Sequence, residues 1–127
     1  MTAFRVKDVD PQGCLTFDLI DFLELFGDRA IHATWTCNVG EVVPSSEAKY
    51  LPEAYAASQS IPGALLFQAA ANTSQIIDGV FVATEPGKPE PWLVLRAVDS
   101  SFWEVQPTSP EIERLLKSRF KSVERDA

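Results

Sequence analysis

The chain is poor in the residues that most chemistry needs. In 127 residues there is one histidine, His32, one methionine, two cysteines and six glycines, no two of them adjacent. Scattered glycines give no phosphate cradle, and neither a Gly-x-Ser-x-Gly elbow nor an HExxH pair is present. Cys14 and Cys37 lie 23 positions apart, without the close spacing of zinc or redox motifs, and read as two buried free thiols. No metal or cofactor is expected. Long apolar runs are missing too: Gly79–Ala83 and Trp92–Leu95 fall far short of the ~18 residues that span a bilayer. The first residues, MTAFRVKDVDPQG, carry charges where a secretory signal would be apolar, so the expected compartment is the cytoplasm, with no membrane partner.

Positive charge is scarce as well. Eleven Lys and Arg stand against eighteen Asp and Glu, a net charge of −7, which argues against a nucleic-acid partner because phosphate neutralisation needs clustered bases. The imbalance is uneven. Residues 1–60 hold nine acids and four bases, whereas Arg114 to Arg125 holds five bases and one acid.

Apolar residues make up 46% of the chain, enough for one ordinary globular core. The richest stretch is Ile76 to Val105. Two runs, Ile76–Thr84 and Trp92–Val98, flank the breakers Glu85-Pro86-Gly87-Lys88-Pro89-Glu90-Pro91, which is a hairpin signal. A loop centred on Lys88 sets Thr84 opposite Trp92, Val82 opposite Val94 and Val80 opposite Arg96. Ile77, Gly79, Phe81, Ala83, Leu93, Leu95 and Ala97 then share the core face. The other face carries Asp78, Val80, Val82, Trp92, Val94, Arg96 and Val98, too apolar to lie open to water, with Asp78 and Arg96 diagonal across it. A covering helix or a second copy is needed there.

Elsewhere the pattern predicts a weak edge strand at Phe4–Val9 and a helix over Thr16–Phe26 capped by Thr16. A strand over Ala30–Val43 puts His32 on its polar side, and a long connection over Pro44–Ser60 holds Tyr50 and Tyr55. Ser60–Asn72 is ambiguous between helix and strand, and helix is favoured. Asp99-Ser100-Ser101 reads as a bulge or tight turn rather than as catalytic groups. Ser109–Val123 is the surest helix, with Ser109 as cap and Pro110 at its first position, and a frayed tail over 124–127. Together these give a single α+β domain with a mainly antiparallel sheet of four or five strands and helices largely on one face.

Two functional classes follow. The first is an acidic interaction module without catalytic chemistry, a homodimer through the second sheet face, with a possible basic protein partner at the acidic stripe Asp18, Asp21, Glu24 and Asp28. The stripe spreads over ~15 Å and cannot converge on one ion. The second is a small-molecule pocket, catalytic or not, between the sheet and the middle connection. Trp35, Trp92, Phe102, Trp103, Tyr50 and Tyr55 would line it, and His32, Asp78, Arg96 or Asp99 would supply polarity.

Overall fold

The computed structural model describes residues 2–44, 55 and 60–126. In chain order the elements are β1 (Ala3–Val6), α1 (Leu19–Phe26), α2 (Asp28–Ile31), β2 (Thr34–Pro44), β3 (Ser60–Pro62), α3 (Gly63–Ala71), β4 (Thr73–Thr84), β5 (Pro91–Val98), β6 (Phe102–Gln106), α4 (Pro110–Arg119) and β7 (Val123–Asp126). The strands form one sheet in the order β3-β2-β4-β5-β6-β1-β7, and every neighbouring pair is antiparallel. The α+β class is as expected. Among the described residues the sheet has seven strands rather than four or five.

The central hairpin keeps the expected register from Gly79↔Ala97 through Val80↔Arg96 and Val82↔Val94 to Ala83↔Leu93, then slips, so that Thr84 pairs with Pro91. A bulge there turns Trp92 onto the helix side of the sheet, correcting its expected place opposite Thr84. The next connection, Asp99–Ser101, is built on a tight β-turn with two central residues. Asp99 and Ser100 both have positive φ, 47° and 58°, and Ser101 N–H donates to Val98 O at 2.8 Å. Such turns match the twist of the flanking strands.

The inner face of the sheet supplies Phe4, Val6, Trp35, Cys37, Phe81, Ala83, Leu93, Leu95, Ala97, Trp103 and Val105 to one hydrophobic core. The four helices among the described residues all add buried apolar side chains to that same core. Phe22 sits at its centre, with ring centroids 5.2 Å from both Trp103 and Phe120.

Several boundaries differ from expectation for identifiable reasons. The first helix is capped by Asp18, not Thr16. Ala30 and Ile31 belong to the short α2, so β2 begins only at Thr34. Ser60–Pro62 is a short strand and Gly63–Ala71 a helix, so residues 60–72 divide between the two readings. The last helix begins as expected, with Ser109 Oγ accepting Ile112 N–H at 3.2 Å, but stops at Arg119. Beyond it, Asp8 accepts the N–H of Lys121 at 3.0 Å and of Ser122 at 2.7 Å, which breaks the helical pattern. Residues up to Asp126 then form β7 along β1, where a frayed tail was expected.

That clamp yields a prediction. Asp8→Ala leaves the N–H groups of Lys121 and Ser122 to partly accessible solvent and should cost about 1–2 kcal/mol in a urea titration. Asp8→Asn, which keeps one acceptor oxygen, should lose less.

Candidate functional site

The outer face of the sheet carries Thr34, Thr36 and Asn38 on β2, Asp78, Val80 and Val82 on β4, and Val94, Arg96 and Val98 on β5. Phe102, Glu104 and Gln106 continue it on β6, and Arg5 on β1. Val80, Val82, Val94, Val98 and Phe102 are each half-buried. None of them belongs to the helix-covered core, and no described helix contributes to this side. They fall into two groups, Val82 opposite Val94 and Val98 opposite Phe102, with Val80 opposite Arg96 in the row between them.

Charged residues stand among the apolar ones on this face. Arg96 Nη1 reaches Glu104 Oε1 at 3.4 Å across the β5–β6 ladder, and the Arg5 guanidinium lies 4.1 Å from the centroid of the Phe102 ring. Arg96 therefore pairs across to Glu104 rather than diagonally to Asp78. The Asp78 carboxylate accepts Asp99 N–H at 3.0 Å and holds the β5–β6 turn. A trough of about 180 Å³ runs between Ala3, Val94, Arg96, Glu104 and Gln106. A second hollow of about 320 Å³ shares Val94 and Gln106 with it and extends to Pro91, Pro107 and Thr108.

Of the residues expected on this face, Asp78, Val80, Val82, Val94 and Arg96 are brought together there. Trp92 is not. It is nearly buried at the other side, edge-on to Phe26 at 5.8 Å and beneath the Arg29 guanidinium at 4.1 Å, and Arg29 in turn bonds Glu85 at 2.6 Å.

The expected acidic stripe is divided. The Asp18 carboxylate turns inward and accepts Ile76 N–H at 3.0 Å, while Asp21 accepts Asp18 N–H at 2.8 Å and pairs with Arg119 at 2.9 Å. Only Glu24 and Asp28 are exposed. A surface hollow of about 310 Å³ beside them is lined by Asp21, Glu24, Leu25 and Arg119, so its charge is mixed.

The expected aromatic pocket does not assemble from its described members. Trp35 and Trp103 are fully buried in the core, Trp35 donating its indole N–H to Ala30 O at 2.9 Å. His32 is exposed at the end of α2 rather than on a strand. Tyr50 lies outside the described residues.

Tyr55 is buried, edge-on to Phe81, with its hydroxyl 2.8 Å from Thr73 Oγ1. Thr73 spends its one proton on Ala69 O at 2.8 Å, so the phenol donates to Thr73. Burial raises all three acids of this neighbourhood. The Tyr55 phenol is pushed up, the Cys37 thiol to about 12, and the Asp18 carboxyl from 3.8 to about 6. Thiol and phenol, ordinarily neutral at pH 7, are moved further from ionisation by burial. Cys14 is exposed, against the expectation of two buried thiols, and both cysteines are free.

Among the described residues no group of three His, Cys, Asp or Glu could hold a metal, and no helix is long and apolar enough to cross a membrane. Comparison with known proteins gave no match to a family model, a curated protein or a solved structure.

Proposed function

We propose that the chain is a non-catalytic interaction module that pairs with a second copy of itself through the outer sheet face, which no described helix covers. The five half-buried apolar side chains Val80, Val82, Val94, Val98 and Phe102, gathered on one sheet face around the Arg96–Glu104 pair, carry this reading, because apolar residues rimmed or crossed by charged ones mark association surfaces. Charge favours a copy over a foreign partner. The face presents Arg5 and Arg96 beside Glu104, both signs within one patch, as an isologous interface requires. Size is adequate as well. Seven strands at ~4.8 Å spacing and ~17 Å length present on the order of 500 Å² of flat area, comparable with the roughly 800 Å² of accessible surface per partner in stable complexes once side-chain relief is counted.

A basic protein docked on the acidic helix has less support, since Asp18 and Asp21 are already engaged within the fold. Val82→Arg provides the test. The position is half-buried on a flat face, so the substituted chain should fold. Light scattering across a concentration series should show a dimer for the parent chain and at least a tenfold weaker dimer for the variant. A parent chain that stays monomeric at millimolar concentration would remove the reading.

A further inference from the structure

Strand register sets the outer face out in rows that run across the sheet. One row holds Val82, Val94 and Gln106, and the β1–β6 register continues it to Ala3, which lines the trough with Gln106. The middle row holds Val80, Arg96, Glu104 and Arg5, in that order from β4 to β1. The third holds Val98 and Phe102. On β5 and β6 the outward charges are therefore confined to the middle row, where a base and an acid adjoin. Their bond within the chain is long, 3.4 Å, and the Arg96 side chain is 59% exposed against 24% for Glu104. A guanidinium has five N–H donors, so this single contact leaves Arg96 able to bind a second carboxylate.

We infer that the two copies meet face to face about a two-fold axis that runs along the strands in the gap between β5 and β6, so that each Arg96 stands over the partner's Glu104. This arrangement rests on the self-pairing proposed above and gives it a register. Two stacked sheets with strands within about 30° of each other can be related by a two-fold axis lying between them, either along the strands or across them. An axis along the strands keeps each row at its own level and reverses its order. The middle row Val80-Arg96-Glu104-Arg5 then faces Arg5-Glu104-Arg96-Val80, which joins the two Arg96–Glu104 pairs into a ring of alternating charge. Val98 falls over the partner's Phe102. Val82 falls over the partner's Ala3, the smallest side chain lining the trough of about 180 Å³, so a protruding valine meets a hollow.

The competing axes fail on charge. An axis across the strands through the middle row stacks Arg96 on Arg96 and Glu104 on Glu104. Through any level between rows it presses both groups onto uncharged side chains and strips their water without return. An axis along β5 or β6 itself, rather than between them, again sets one of the two charges on its own mate. Complementary charge of this kind fixes the register of an interface.

The test compares charge-reversed full-length chains by light scattering and native mass spectrometry, with circular dichroism to check folding. Arg96→Glu and Glu104→Arg each set like charges against one another on both sides of the axis, and each alone should weaken dimerisation roughly tenfold or more. An equimolar mixture of the two should recover the parent affinity as a heterodimer, which also shows that both chains fold. Cysteine variants in a Cys14→Ser background read the direction of the axis. An axis along the strands holds Val94 and Val98 each close to its own mate, so a short bismaleimide should join Val94→Cys chains to one another and Val98→Cys chains to one another. An axis across the strands would join only Val94→Cys to Val98→Cys. That last result, or parent-like affinity for each charge-reversed chain alone, would overturn the inference. It would leave the sheet-face reading standing where Val82→Arg still dissociates the parent dimer. A monomeric parent removes both.

Discussion

Gly63→Ala should lower the stability of the folded chain by about 3 kcal/mol, seen as a fall in thermal midpoint of roughly 10 °C. A Cβ at this position would overlap the carbonyl oxygen of Ala30 and stand 2.5 Å from that of Ile31. Both are backbone atoms, so no side-chain rotation relieves the contact. The Ala30 oxygen is further fixed because it accepts the buried Trp35 indole N–H, and Gly63 N–H itself is held by Ala33 O at 3.0 Å. Moving the Ala30 carbonyl would break the Trp35 bond and leave a buried donor without a partner. Gly40→Ala is the control. Its Cβ would meet only Asp78 at 3.7 Å, an ordinary contact, and a change within about 1 kcal/mol is expected. Equal midpoints for the two variants would show that the corner yields more readily than its hydrogen bonds imply.

What could be read from the sequence was what local pattern controls. Alternation along Ile76–Thr84 and Trp92–Val98 fixed the pairing of Val80 with Arg96 and Val82 with Val94, and so the existence of a second apolar face. Ser109 and Pro110 marked the start of α4, because capping needs only four residues. Errors arose where a distant group decided the outcome. Asp8 stops the helical pattern near Lys121 from 113 positions away, and β1 recruits a terminal Val-Glu-Arg-Asp segment whose charges suit an edge strand and hide its pairing. Trp92 changed sides because Pro91, unable to donate a ladder hydrogen bond, occupies the place opposite Thr84.

The candidate site shows the same division. The outer face was visible because strand period places its valines together. Its internal pairing was not: Arg96 finds Glu104 on β6, a strand whose position depends on the tight Asp99-Ser100 turn. The acidic stripe on α1 was misjudged for a related reason. Helical spacing shows which carboxylates share a side, but it cannot show that β4 starts beside Asp18 or that Arg119 crosses to Asp21.

Asp18 also provides the second large effect. Asp18→Asn should stabilise the chain at pH 7.5 by about 1–2 kcal/mol and leave it near the parent value at pH 4. Burial dominates the carboxyl's environment and raises its pKa from 3.8 to about 6, with the neighbouring Asp21 adding a smaller push and the N–H groups of Ile76 and Leu19 opposing it. A folded state with the higher pKa binds its proton more tightly than the unfolded chain. Its advantage is complete below pH 4, where both states are protonated, and is lost as pH climbs through 6 and the half-sheltered group must carry charge. The full interval would correspond to nearly 3 kcal/mol, and residual solvent contact reduces it to the stated range. Asparagine keeps an oxygen for Ile76 N–H and remains a good helix cap, so it removes the charge while preserving the geometry. Urea midpoints for the two chains from pH 4 to pH 8 report on Asp18 together with its coupling to Asp21, since the chains differ only at residue 18. The curves should separate between pH 4 and 6 and run parallel above. A variant less stable than the parent by the same amount at every pH would instead mean that the cap needs the carboxylate itself.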